Sequence, residues 1–157
     1  MGTGKSAVGR LLARRLQRTF VDLDDRIAQA AGRSIARIFA DEGETGFRKR
    51  ESEAVAWVSA LTSHVIATGG GVMLDDSNVH RLKESGILIC LNARPDVIAK
   101  RTLGSLPARP LLSGPDPRQR IEQLLKERAP SYEKADRMID TSDRSIQEVV
   151  EEILDES

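Results

Sequence analysis

The segment that most constrains the fold is a glycine-rich loop at the start of the chain, Gly2-Thr3-Gly4-Lys5-Ser6, which runs into an apolar-periodic stretch. This spacing matches the second half of G-x-x-x-x-G-K-[ST], a loop that holds phosphate groups. The glycines let backbone N–H groups approach phosphate oxygens, and the positive end of the following helix favours negative charge. Lys5 would reach the terminal phosphates, and Ser6 would ligate Mg²⁺. The loop therefore predicts phosphate binding at a strand-to-helix connection.

Blocks of apolar residues downstream alternate between strand and helix periodicity. We predict strands at 20–25, 64–68, 87–91 and 137–140. We predict helices at 5–18, 25–31, 34–40, 78–85, 94–101, 117–134 and 145–154, and a longer helix that runs on from the segment 42–51 to about 61. This alternation predicts one α/β domain over residues 1–157, a doubly wound parallel sheet with helices on both faces. Residues 102–116 are rich in Pro and Gly, and we interpret them as a lid.

The composition limits the class of partner. Lys plus Arg and Asp plus Glu number 24 each, so the formal net charge is zero, and aromatic residues make up only 3%. Both values argue against nucleic acid or an anionic membrane as the main partner. We find no apolar run of transmembrane length and no signal-peptide pattern, and we expect a cytoplasmic protein. Cys90, the only cysteine, is expected to be a reduced thiol buried in the core.

Acidic residues and glycines follow two of the predicted strands. Asp22 and Asp24 lie at the end of the first strand, and we expect them to point the same way because they are two residues apart. Asp22 would support Mg²⁺, and Asp24 would hydrogen-bond an attacking hydroxyl and accept its proton. Gly69-Gly70-Gly71 follows the second strand and would let its backbone approach a ligand. The alternatives are ordinary helix capping for the acids and a flexible turn for the glycines.

Four arginines, one of them a weaker candidate, could hold anionic groups. Arg48 and Arg128 would hold an anionic group on the acceptor, because guanidinium matches a group such as a carboxylate in a bidentate way. Arg109, within the predicted lid, would close over the phosphates, and Arg101 is a weaker candidate for the same role. Each arginine could instead be an ordinary surface residue. His64 and His80 have no partners at metal-ligand spacing, and we assign neither a role.

The motifs together resemble those of the shikimate kinase family. They are GTGKS, DLD, GRSIARIFADEGETGFRKRE, ATGGGV, ARPLL and ERAPSYEKAD, in that order from Met1 to the last helix. The resemblance implies a fold similar to that of nucleoside monophosphate kinases, a five-stranded parallel sheet with a closing lid. It also implies transfer of the ATP γ-phosphate to the 3-hydroxyl of shikimate, on the route to chorismate and aromatic amino acids, by a monomer that uses Mg²⁺.

The resemblance implies a role for individual residues as well. For ATP binding it implies Gly2, Thr3, Gly4, Lys5, Ser6, Ala7, Arg109 and, more loosely, Arg144. For shikimate binding it implies Asp24, Arg48, Gly69, Gly70, Gly71 and Arg128, with Glu51 holding Arg48 in place. For metal binding it implies Ser6 and Asp22, and for catalysis Lys5, Asp24 and Arg109.

The sequence departs from the family in its first segment. The first glycine of the phosphate loop and the strand before it would precede Met1, and in this fold that strand lies in the middle of the sheet. We hypothesise that Met1 is a mis-assigned start and that the true chain begins about ten residues earlier. Three other interpretations stay open, namely a kinase of the same fold acting on a substrate such as gluconate, a non-catalytic ligand-sensing domain, and a fragment that cannot fold.

Overall fold

The computed structural model describes residues 2–102, 112 and 115–155. Helices and strands alternate through these residues, as the periodicity predicts. The helices are α1 Lys5–Arg15, α2 Leu23–Ala31, α3 Ile35–Ser59, α4 Asp76–Ser85, α5 Pro95–Thr102, α6 Pro117–Tyr132 and α7 Ile146–Asp155, with a short 3-10 turn at Val72–Leu74. The strands are β1 Thr19–Asp22, β2 His64–Ala67, β3 Ile89–Asn92 and β4 Arg137–Asp140.

The four described strands form two parallel pairs. β1 pairs with β2 in a register that sets Asp22 opposite Ala67, and β3 pairs with β4 in a register that sets Asn92 opposite Asp140. Among the described residues, β2 and β3 do not pair with each other. Parallel pairing brings the carboxyl ends of β1 and β2 to one edge, so the segments after Asp22 and Ala67 are neighbours.

Three apolar clusters hold the helices against the strands. One joins α2, α3 and α4 beneath β1 and β2, and it includes the fully buried Leu23, Ile38 and Val55. A second joins α1 and α7 to β4, and Val65 of β2 and the β3 residues Ile89 and Leu91 pack against it. The third joins α5 to α6. Since both strand pairs contribute to the second cluster, helix α1 packs against both of them. This packing holds in place the first residue of α1, to which the glycine loop is joined.

Helix α3 is longer than the sequence predicts, and it is bent. The segments predicted as separate helices merge into Ile35–Ser59, with a kink at Gly43, whose φ is 68°. Glu42 ties the kink together, because it accepts hydrogen bonds from Arg33 on one side and Arg50 on the other. The Arg50 contact lowers the pKa of the Glu42 carboxyl. The second half of α3 is thereby oriented to carry Arg48 and Glu51 toward the end of β2.

Two predictions about β3 and its start are wrong. Ile87 was expected in a buried strand, but the strand begins at Ile89 and Ile87 is 68% exposed. Just before the strand, the Leu88 amide donates a hydrogen bond to the Asp136 carboxylate. Cys90 is only half-buried, although the burial that it has raises the pKa of its thiol.

The start of α7 agrees with the sequence. Ser145 and Glu148 form the predicted capping box of α7, in which the Glu148 amide donates to Ser145 Oγ at 3.2 Å and the Ser145 amide donates to the Glu148 carboxylate at 2.7 Å.

In the ranges that the structure describes, no helix is both long and apolar enough to span a membrane.

Candidate active site

The phosphate loop has the backbone that its glycines predict. Gly2 and Gly4 have φ values of 63° and 92°, in the left-handed region that other residues avoid. Gly4 is the N-cap of α1, and Lys5 is the first residue of that helix. A Cβ at Gly2 would lie 2.8 Å from Thr102, so the loop also packs closely against α5. The positive end of α1 is therefore presented beside Lys5, as phosphate binding requires.

Ser6 and Asp22 are joined by a direct hydrogen bond. The Ser6 hydroxyl donates to Asp22 Oδ2 at 2.6 Å, and Asp22 Oδ1 accepts from the Asp24 amide at 3.1 Å. Asp22 is thus the N-cap of α2, and Asp24 lies in the first turn of that helix. The expectation that the two acids share one face of a strand is wrong, because the strand ends at Asp22. The acids are nevertheless close, since a single turn connects them.

The Ser6 and Asp22 oxygens suit Mg²⁺. Hydroxyl and carboxylate oxygens are the ligands that this hard cation prefers, and in nucleotide sites it takes few ligands from the protein. Over residues 2–102, 112 and 115–155 there is no group of three or more His, Cys, Asp or Glu side chains able to hold a metal by itself. The Ser6 hydroxyl and the Asp22 carboxylate fit a Mg²⁺ ion that takes its remaining ligands from phosphate and water.

The glycines after β2 lie against the charged side chains of the site. A Cβ at Gly69 would lie 3.1 Å from Glu51 Oε2 and 3.6 Å from Asp24 Oδ1. A Cβ at Gly70 would lie 3.1 Å from Arg128 Nη1 and 2.9 Å from the hydroxyl of Tyr132. The structure thus brings Asp24 of α2, Glu51 of α3 and Arg128 of α6 onto one short stretch of backbone.

Arg48 is held between two carboxylates of its own helix. Its Nη1 donates to Glu51 at 2.8 Å and its Nη2 donates to Glu44 at 3.1 Å. The Glu51 side chain is only 2% exposed, whereas the Glu44 side chain is 55% exposed. Burial raises the pKa of the Glu51 carboxyl, although Arg48 opposes the shift, and both carboxylates raise the pKa of Arg48. Glu51 is therefore the fixed partner of Arg48 and Glu44 the accessible one.

Two cavities border this cluster. One, of about 430 Å³, is lined on α3 by Glu44, Arg48 and Glu51 and across from them by Gly71. The other is lined by Thr3 and Lys5 of the phosphate loop together with Gly69 and Gly70. The glycine run therefore separates a space beside Arg48 from a space beside Lys5. The larger space, with Arg48 on its wall, can take an acceptor with an anionic group, whereas the space beside Lys5 is only about 50 Å³ and extends along β3.

Of the other arginines predicted to bind ATP, the structure describes Arg144 and Arg101 but not Arg109. Arg109, with most of the predicted lid, lies outside the described residues. Arg144 is paired with Glu152 and also donates to the Glu148 carbonyl, so it is held on α7. Arg101, the weaker candidate, is the arginine that reaches the phosphate loop: it donates to the Thr141 carbonyl at 2.9 Å and to the Gly2 carbonyl at 3.4 Å.

Two residues of this region were not singled out from the sequence. Thr141 is buried, and its hydroxyl contacts the Thr3 and Asn92 carbonyls at 3.0 Å each, joining the phosphate loop to β3. Tyr132 faces Gly70 beside Arg128. A signal for Tyr132 was present, because it follows Arg128 by four residues and so shares its helix face. The sequence contains no comparable signal for Thr141, because Thr3 and Asn92, whose carbonyls its hydroxyl contacts, lie far from it along the chain.

The family model described as shikimate kinase matches residues 1–157. The chain is 49% identical over 154 residues to the shikimate kinase of Caldanaerobacter subterraneus subsp. tengcongensis, a match covering 98% of this chain and 90% of that protein. It is 50% identical over 157 residues to the shikimate kinase of Symbiobacterium thermophilum, covering 99% and 90%. The chain belongs to the shikimate kinase family.

Solved structures of shikimate kinases have the same fold. The shikimate kinase from Acinetobacter baumannii in complex with shikimate has a TM-score of 0.94 at 38% identity, covering 98% of this chain and 86% of that one. The shikimate kinase from Aquifex aeolicus has a TM-score of 0.82 at 34% identity, covering 99% and 90%. The predicted α/β fold with a phosphate-binding loop and the predicted family are both confirmed.

Proposed function

We propose that this shikimate kinase family member transfers the γ-phosphoryl group of ATP to the 3-hydroxyl of shikimate. The observation that carries the proposal is the convergence of Arg48, Arg128 and Asp24 on Gly69-Gly70-Gly71, next to the cavity lined by Lys5. Two guanidinium groups suit an acceptor with a carboxylate, and Asp24 suits one with a hydroxyl.

In this proposal the arginines orient the acceptor. Arg48 and Arg128 bind the carboxylate of shikimate, with Gly70 leaving room for Arg128. Arg128 is only 6% exposed, so its donors are largely desolvated and a charged partner is favoured there. Holding the acid end fixes the direction of the ring hydroxyls toward Asp24. Most of the rate enhancement in phosphoryl transfer comes from such positioning and from charge stabilisation.

The transfer itself needs a proton acceptor and positive charge. The 3-hydroxyl oxygen attacks the γ-phosphorus, the bond to the ADP oxygen breaks, and the hydroxyl proton passes to the Asp24 carboxylate and then to solvent. Lys5 and the N–H groups at the start of α1 stabilise the charge on the phosphates. Mg²⁺, when bound at Ser6 and Asp22, supplies further positive charge beside the phosphate oxygens.

The proposal also covers the residues on the nucleotide side of the site. Residues 2–7 bind ATP, Arg109 completes the charge around the phosphates from a lid at 102–116, and Arg144 flanks the adenine. The close contacts of Arg101 with Gly2 and Thr141 support an additional role for Arg101 on the nucleotide side. We expect a cytoplasmic monomer that binds neither nucleic acid nor membrane.

The test is ADP release from Mg·ATP by the purified chain, with shikimate, with gluconate and without acceptor. Shikimate-dependent release, absent with gluconate, supports the proposal. Asp24→Asn and Arg128→Ala are expected to abolish or strongly reduce that release, and Arg15→Ala, an exposed arginine of α1, is the matched control. Release with gluconate alone would assign the site to another acceptor, and shikimate turnover unaffected by both site variants would refute the assignment of these residues.

A further inference from the structure

The guanidinium of Arg48 lies directly against the backbone of Gly71. A Cβ built at Gly71 would lie 2.0 Å from Nη1, 2.4 Å from Cζ and 2.5 Å from Nη2. Close-packed protein interiors do not tolerate separations this short between unbonded atoms. Because three atoms of the same planar group are involved, rotating the guanidinium about its end cannot relieve all the contacts. Any side chain at position 71 would displace the Arg48 guanidinium.

The backbone gives no other reason for a glycine here. Gly71 has φ −83° and ψ −13°, in the right-handed region that any residue adopts. At Gly43, by contrast, φ is 68° and a Cβ would meet nothing within 4 Å, so that glycine serves the kink of α3. The missing side chain at position 71 therefore serves the approach of Arg48 rather than a turn.

Neither partner of this contact is free to move. Arg48 is fixed by its 2.8 Å hydrogen bond to the buried Glu51. Gly71 begins the 3-10 turn, its carbonyl accepts from the Leu74 amide at 3.0 Å, and the next residue, Val72, is fully buried in the core. A shift of the turn away from Arg48 would move Val72 in the core, and a shift of Arg48 would break its contact with Glu51.

We propose that Gly71 is a positioning residue for Arg48. Its bare backbone and Glu51 together set the direction in which the guanidinium faces the acceptor, and the missing side chain of Gly71 acts on substrate binding through Arg48. This inference rests on the proposed function, in which Arg48 binds the acceptor carboxylate. It adds to the expectation that the backbone of all three glycines approaches the substrate.

The first test is the kinetic effect of Gly71→Ala. Overpacking a fixed site has a cost equivalent to about a tenfold or greater change in an equilibrium constant, so we expect the KM for shikimate to rise by about that factor. The KM for ATP is expected to change by less than about twofold. Gly86→Ala is the matched control, because its φ of 175° suits any residue and a Cβ there meets nothing within 4 Å.

The deciding test is a double-mutant cycle with Arg48→Ala, measured on the KM for shikimate and, without substrate, on the unfolding equilibrium constant in urea. If Gly71 acts through Arg48, the Gly71→Ala effect of about tenfold falls to less than about twofold in the Arg48→Ala background. Equal effects in both backgrounds on both measurements would overturn the proposal. Should Gly71→Ala alone fail to fold, folding of the double variant supports it and failure of both overturns it. The unfolding cycle needs no catalysis, so the proposal can be judged even if shikimate is not the substrate.

Discussion

Replacing Glu51 with Gln removes a buried negative charge from the candidate site while keeping the shape of the side chain. Glu51 accepts from Arg48 at 2.8 Å and is 1% exposed. Gln can still accept a hydrogen bond from the charged Arg48 guanidinium, but the attraction between two opposite charges is lost. A hydrogen bond to a charged group contributes about 1.5–3 kcal/mol, and we take the loss of the second charge as roughly 1 kcal/mol of the free energy that orients Arg48. We expect the KM for shikimate to rise about fivefold, since 1.4 kcal/mol corresponds to tenfold, with the KM for ATP unchanged.

Glu44→Gln is the matched control for this prediction. Glu44 binds the same guanidinium at 3.1 Å, but its side chain is 55% exposed. Exposed ion pairs contribute about 0–1 kcal/mol, and an acceptor carboxylate can take the place of this partner. We therefore expect little change or a small decrease in the KM for shikimate. The reasoning is refuted if Glu44→Gln raises that KM more than Glu51→Gln does, or if Glu51→Gln leaves it unchanged.

The pH dependence of the same variant gives a second measurement. Burial raises the pKa of Glu51 above its ordinary value of 4.5, so the folded protein binds this proton more tightly than the unfolded chain does. The contribution of Glu51 to the free energy of unfolding therefore rises as the pH falls through the raised pKa toward 4.5, and it is lowest above that range. We expect urea unfolding of Glu51→Gln to lack this component of the pH profile.

Three further substitutions test separate parts of the molecule. Ser6→Ala removes the hydroxyl that donates to Asp22 at 2.6 Å. We expect the Mg²⁺ concentration for half-maximal turnover to rise at least about tenfold, with shikimate affinity in the absence of ATP unchanged in a binding titration. Thr141→Val removes the hydroxyl beside Arg101, so the KM for ATP is expected to rise while that for shikimate does not. Ser145→Ala removes the cap of α7 and should lower the free energy of unfolding by about 1 kcal/mol without changing kcat, as thermal unfolding and a rate assay would show.

The order of the elements could be predicted because apolar periodicity is a local property of the sequence. Each of the four described strands and the start of α6 lie within a few residues of their predicted positions. The glycine loop was also predictable, since the positive φ values of Gly2 and Gly4 are the reason that such loops need glycine. Both are cases in which the residue type alone restricts the backbone.

The contacts within the site could not be predicted in the same way. The sequence predicts Asp24 at the end of a strand, but the strand stops at Asp22, whose side chain caps helix α2. Two acids at this spacing are compatible with the end of a strand and with the start of a helix, so the pattern alone does not decide between them. The contact between Gly71 and Arg48 joins residues far apart in sequence, and the link between Arg101 and Thr141 spans a longer interval still. Such distances depend on how whole helices pack against the strands, which periodicity does not encode.

Asp22 uses both oxygens of one carboxylate, one toward Ser6 in the phosphate loop and the other toward the first turn of the helix that carries Asp24. The phosphate-loop side and the acceptor side of the site therefore share one carboxylate, which joins them physically. Thermodynamic reciprocity then fixes a relation between the two ligands: whatever factor bound nucleotide imposes on acceptor affinity, bound acceptor must impose on nucleotide affinity. A variant designed to retune one half should accordingly be characterised with both ligands.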